Sequence, residues 1–167
     1  MTQHGSLGEF RLVPEGIAVR YDRRLDATSE QVWEALTDPG TLARWVGHVT
    51  VADRDVTVLL GPDAPAATGR IMYCDPHKML EVDLHWPGEE KARFVAEAAE
   101  LSAERTVVVL EYRGVPDAVA AERAAEWHRR VDALAAVATG RPVPELGASP
   151  DLVAAYEVAL AELRSGG

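Results

Sequence analysis

The sequence predicts an α+β fold, a curved antiparallel sheet wrapped around one long helix, and three observations carry that expectation. In residues 117–139 the apolar residues Ala120, Ala124, Trp127, Val131, Leu134 and Ala138 recur at spacings of four and three, which is the period of one helix with one apolar stripe. In residues 68–112 four alternating segments follow one another with short turn-forming connections, the pattern of an antiparallel meander. Neither the helix stripe nor the sheet face can be buried alone, so the two are expected to close on each other, with any ligand space between them. Third, the helical signals that come before this meander are two short helices joined by a Pro turn, expected to cross one edge of the sheet.

In chain order, residues 1–14 form a loose arm with at most a short strand at 9–13. Residues 17–25 alternate as a strand, with Ile17, Val19, Tyr21 and Leu25 on one side and Arg23 falling on that same apolar side. Arg23 is expected to pair with a nearby carboxylate at the sheet end, or else to face a ligand. Thr28-Ser29-Glu30-Gln31 is a capped helix start, closed by Asp38-Pro39-Gly40, and a second short helix is expected over 41–46. Residues 49–60 hold two strand-like runs around Ala52-Asp53-Arg54-Asp55, a solvated turn. The meander strands are placed at 68–74, 79–86, 92–98 and 105–112. Period two turns Val82, Leu84, Trp86, Phe94, Ala96, Ala98, Val108, Leu110 and Tyr112 inward.

Within the long helix Glu122, Arg123, Glu126, Arg129, Arg130 and Asp132 lie between the stripe residues and are expected to be wet, and Pro116 with Asp117 marks the start. Gly140-Arg141-Pro142-Val143-Pro144 ends it. Ser149-Pro150-Asp151 opens a last helix with Leu152, Tyr156, Ala159 and Leu163 on one face, expected either to cover the open end of the sheet or to pair with a second subunit in a homodimer. The expected division is therefore an arm over 1–14, one domain over 15–139, and a linker with an appended helix over 140–167.

Composition removes several function classes. A chain of 167 residues holds one ordinary domain. Its net charge of −10, from 27 acidic against 17 basic residues, repels nucleic acid and anionic lipid, so neither a nucleic-acid nor a membrane partner is expected. The single cysteine, Cys74, has no partner for an internal disulfide and is expected to be a small buried hydrophobe; with no long apolar run at the N-terminus, a cytoplasmic location is expected. His4, His48, His77, His85 and His128 stand in no metal-ligand spacing, so no metal is expected, and His128 should be a solvated helix residue at the rim of the stripe. The serines lie at turns, caps or termini, and Gly5-Ser6-Leu7-Gly8 lacks the lysine and the strand-to-helix context of a phosphate loop, so no cofactor is expected.

Three blocks carry a family resemblance: VRYDRRLDATSEQVWEALTDPGTLARWVG, GRIMYCDPHKMLEVDLHW and TVVVLEYRGVPDAVAAERAAEWHRRVDALAA. In that order they resemble the activator of heat-shock-protein ATPase homologue family, a branch of the START-like (SRPBCC) superfamily with a helix-grip fold. The resemblance covers about residues 17–139 and implies that fold. It implies no single activity, because the superfamily includes lipid carriers, aromatic polyketide cyclases and co-chaperone domains. One departure is local: the family commonly has two adjacent tryptophans where this chain has Trp45-Val46, which thins an aromatic wall.

The functional expectation is a cavity between the sheet and the long helix that binds or carries a small hydrophobic molecule. Its contacts are expected at Trp45, Ile71, Tyr73, Leu84, Trp86, Phe94, Leu110, Tyr112, Trp127 and Val131. A second expectation is a cyclase, dehydratase or isomerase acting on a polyketide-like or aromatic substrate, with Tyr73, Tyr112 or Arg23 orienting oxygen atoms. A third is a co-chaperone-like protein-binding module, for which no exposed apolar patch is read outside the last helix.

Overall fold

The computed structural model describes residues 6–147 and 149–166, so His4 and Gly5 of the expected arm lie outside the described residues. The chain runs through β1 (Glu9–Val13), β2 (Gly16–Leu25), α1 (Ser29–Thr37), α2 (Pro39–Leu42), β3 (His48–Ala52), β4 (Asp55–Leu59), β5 (Ala67–Asp75), β6 (Met79–His85), β7 (Ala92–Ser102), β8 (Arg105–Val115), α3 (Ala120–Ala138) and α4 (Pro150–Ser165). All strands join one curved antiparallel sheet in the order β1-β2-β8-β7-β6-β5-β4-β3. The first long strand thus closes against the last, and α3 returns across the concave face, as the sequence predicts. No helix among the described residues is long and apolar enough to cross a membrane.

Local chemistry sets the element ends. Thr28 and Gln31 form a reciprocal capping box, with Gln31 N donating to Thr28 Oγ1 at 3.1 Å and Thr28 N donating to Gln31 Oε1 at 2.9 Å. The second short helix lies at Pro39–Leu42 rather than at 41–46. Asp38 ends α1 and also caps α2 through Thr41 N, while Pro39 presets the first helical φ, so the turn assigned to Asp38-Pro39-Gly40 is itself the helix start. At the far end of α3, Gly140 adopts φ 70, and the amides of Gly140 and Arg141 reach back to the carbonyls of Val137 and Ala136. That is a Schellman stop, which needs a residue free to adopt positive φ.

At the edge of the fold the short strand expected at 9–13 is present as β1, paired along β2 from Glu9↔Arg20 to Val13↔Gly16, so this part of the arm is held to the sheet. The last helix, α4, packs against α3 and β1. Tyr156 anchors it: its hydroxyl oxygen accepts from Gly8 N at 2.7 Å, and its ring meets Phe10 edge-on at 5.7 Å.

β5 and β6 approach so closely that a Cβ on Gly69 would lie 1.7 Å from the Asp83 carbonyl oxygen. Only a residue without a side chain fits there. Gly69→Ala should therefore destabilise the fold by about 2–4 kcal/mol in urea unfolding. A change within about 0.5 kcal/mol would contradict the close approach of the two strands.

Candidate functional site

Four small residues place α3. Ala120, Ala121, Ala124 and Ala125 are all buried, so no long side chain holds the helix off β2 and β8. The backbone comes near enough for the Tyr21 hydroxyl to donate to the Ala124 carbonyl at 2.7 Å. Burial raises the Tyr21 phenol pKa well above its ordinary value, which keeps it a neutral donor. Having settled on the β2–β8 side, α3 leaves the β3–β6 side to α1 and α2.

That side is hollow. A cavity of about 460 Å³ lies between the sheet and the two short helices. Its roof is Trp33, Leu36, Thr37, Pro39 and Leu42, followed by Trp45 and Val46 from the turn after α2. Its floor is β-branched and aliphatic: Val49 and Val51 from β3, Val56 and Val58 from β4, and Leu80, Val82 and Leu84 from β6. Phe94, Ala96 and Leu110 continue it, and α3 contributes Trp127 alone. Thr37, Pro39, Val51 and Cys74 are exposed and form the rim. Trp45 is fixed by its indole N–H, which donates to the Ala35 carbonyl at 2.7 Å.

Of the ten positions expected to touch a ligand, Trp45, Ile71, Leu84, Phe94, Leu110 and Trp127 line this cavity, and Tyr73, Trp86, Tyr112 and Val131 do not. The cavity itself is displaced from its expected place under α3 to the space under α1 and α2, because the alanines bring α3 down onto the sheet. Tyr73 is corrected by a register shift. Ile71 pairs with Val82 but Tyr73 pairs with Glu81, so Met72 is an extra residue and the alternation reverses. Cys74, opposite Leu80, consequently takes the inward position, and Tyr73 is 48% exposed. Cys74 is in turn an exposed rim residue and not a buried hydrophobe.

The other polar candidates are bound elsewhere. Arg23 is buried and pairs with Asp132 at 3.1 Å, which is the carboxylate pairing expected of it. The Tyr112 hydroxyl accepts from Arg123 Nη1 at 2.9 Å, and the same guanidinium holds Glu89 in two hydrogen bonds at 2.9 and 2.8 Å. Tyr112, Phe94 and Trp127 form an aromatic cluster, with Phe94 4.4 Å from Tyr112 and 4.7 Å from Trp127 between ring centroids. Burial pushes the Tyr112 phenol up, and the ring packs within this cluster.

Sequence reasoning also placed His128, Arg130 and Asp132 on a wet face, and the structure buries the first two fully and the third partly. α4 is the reason. His128 Nδ1 lies 2.7 Å from the Tyr156 hydroxyl, and His128 Nε2 lies 3.3 Å from Asp132 Oδ2. Gly8 N donates to the same Tyr156 hydroxyl, so this one oxygen joins the N-terminal segment to α3. The lining residues Trp33, Val51, Val56 and Val58 carry no site assignment in the sequence reading; the alternation over 55–59 marks Val56 and Val58.

Two outcomes test this geometry. The hydrogen bonds from Arg123 hold the Glu89 carboxyl below its ordinary value of 4.5. A depressed folded pKa gives a stability contribution that is complete above the ordinary value and lost as the pH falls through the folded one. Glu89→Gln should therefore lower stability at neutral pH and flatten its acid dependence below about pH 4.5, measured by urea unfolding across pH; parallel curves for the two proteins would refute the pairing. Tyr73→Phe, by contrast, should leave stability and any ligand affinity within about 0.5 kcal/mol of the parent.

The comparisons agree with this architecture. The crystal structure of CalU16 from Micromonospora echinospora matches 97% of this chain and 98% of its own, with TM-score 0.72 and 23% identity. The structure of EF2215 from Enterococcus faecalis, a conserved protein of unknown function, matches 93% and 91%, with TM-score 0.75 and 20% identity. DynU16, from the dynemicin biosynthetic locus, matches 77% of this chain and 49% of its own, with TM-score 0.65 and 25% identity. No curated protein matches the sequence. The sequence pattern described as Activator of Hsp90 ATPase homolog 1-like protein matches residues 26–139, which span both short helices, the meander and α3, and the chain therefore belongs to that family.

Proposed function

We propose that the chain binds a small hydrophobic molecule in the cavity under α1 and α2. The single observation that supports this most is a hollow of about 460 Å³ whose wall is apolar apart from Thr37 and Cys74 at the rim. Folded interiors close to crystal-like density, so apolar space of ligand size with an opening is what a binding site provides and a core does not. Burying an apolar ligand there gains about 25 cal/mol for each Å² removed from water. Trp33, Trp45, Phe94 and Trp127 offer flat faces, which suits an aromatic or polycyclic body as well as an acyl chain. The origin of DynU16 in a biosynthetic locus makes natural-product intermediates sensible ligands to screen.

The catalytic alternative has less support. Its three orienting groups are occupied or outside: Tyr73 is exposed, Tyr112 is held by Arg123, and Arg23 is held by Asp132. Thr37 and Cys74 remain, without a base beside either among the described hydrogen bonds and ion pairs. The co-chaperone-like reading is supported by the family description alone.

The neutral dye N-phenylnaphthylamine should bind with increased fluorescence, and native mass spectrometry of gently purified protein should retain a small-molecule adduct. Ala96→Phe puts a ring into the hollow and should weaken dye binding about tenfold or more while the melting temperature is maintained. Dye binding that is absent from the parent, or unaltered by the added ring, would sink the proposal.

A further inference from the structure

Two buried hydrogen-bond donors next to the cavity have no acceptor. The Trp127 indole Nε1 is sealed from solvent with no hydrogen-bond partner, and Trp127 is the one α3 residue in the cavity wall. One turn on, Arg130 lies over the same indole, its guanidinium carbon 5.5 Å from the ring centroid, and its Nε is likewise buried and unpartnered. The rest of this guanidinium is turned toward the cavity roof: Nη1 donates to the carbonyls of Trp45, at 3.2 Å, and Val46, both from residues that line the hollow.

Arg130 is only 7% exposed, and no carboxylate stands within ion-pair distance of it among the described residues. Glu126, on the preceding turn, is nearest in effect but is half-exposed and sits beside Arg123. Desolvation accordingly pulls the Arg130 pKa down. Among the described residues the buried Arg23 has Asp132 as counter-charge, Asp83 has Arg93, and Glu111 has Arg11. Buried cations are ordinarily paired, and buried N–H groups ordinarily find acceptors. Two exceptions lie beside each other, one of them on Trp127, whose ring lines the hollow, and the other on Arg130 directly behind that ring, and they share one missing partner.

From these neighbours we infer that the ligand carries a carboxylate, seated with its oxygen atoms toward Trp127 Nε1 and Arg130 Nε and its hydrophobic body toward the rim. This rests on the cavity-binding proposal and adds the chemical class of the ligand. Neither donor is open to solvent, so the carboxylate enters by shifting the side chains around Trp127. A charge-assisted bond to a guanidinium already stripped of water repays the desolvation of the anion.

The test is displacement of N-phenylnaphthylamine from the full chain at pH 7.5 by decanoate and by decanol, both below micelle concentrations. A plain apolar hollow prefers the alcohol, because the acid must shed its hydration. Here decanoate should displace the dye at about tenfold lower concentration than decanol. The preference should shrink several-fold in Trp127→Phe, which keeps the ring, and in Arg130→Met, which keeps the length of the stem. Dye binding with decanol equal to or better than decanoate would overturn the carboxylate and leave the cavity proposal standing. A preference for decanoate that both variants retain would also overturn it, by locating the anion elsewhere. Absence of dye binding in the parent would remove both proposals. Should Arg130→Met fail to fold, the parent's order of acid and alcohol together with Trp127→Phe still decides.

Discussion

The hydrogen bond from the Tyr21 hydroxyl to the Ala124 carbonyl is the constraint from which the rest of the molecule follows. A helix carbonyl can accept from a strand side chain only where the helix presents no bulk of its own, and the alanines of α3 meet that condition. The helix is thereby set low over β2 and β8, and cannot also cover the remote strands of a sheet eight strands wide. Close packing on one side of the sheet and a hollow on the other are one event.

What covers the remote side is slight: nine residues in α1 and four in α2. These lengths are dictated by capping. Asp38 serves both helices, and the doubled role leaves a bend instead of a continuous rod. A continuous helix would bring one more apolar stripe to the sheet and fill it. The bent pair holds its side chains at the margins, with Trp45 tethered to Ala35 and Arg130 tying the turn after α2 to α3. The roof of the cavity is therefore attached to α3 by a charged residue whose own polar capacity is only partly used.

The appended helix performs a separate task. By packing on α3 and β1, α4 turns what would be the outer face of α3 into interior, and polar residues there must satisfy one another. Tyr156, His128, Asp132 and Arg23 do so in a chain from Gly8 to β2, with the Tyr156 phenol pushed up to about 12 by burial and so retained as a donor. None of these residues belongs to the cavity lining, and the network holds helix, strand and extension in register.

By itself the sequence determined what depends on neighbours a few residues apart. The capping box at Thr28, the glycine stop after α3, the two-residue periods of β6, β7 and β8, and the stripe of α3 are all local, and Leu84, Phe94 and Leu110 face inward where alternation puts them. Together with the order of its three blocks this was enough for the helix-grip fold. Tertiary structure alone decided the rest. The extra residue at Met72, with no glycine or proline to announce it, turns Tyr73 out and Cys74 in, because a strand's phase is set by its partner's register. His128 and Arg130 have the spacing of a solvated face and are buried, because burial depends on what arrives from α4 and from the turn after α2. The position of the hollow was equally out of reach, since a void is what long-range packing leaves unfilled and no single segment encodes it.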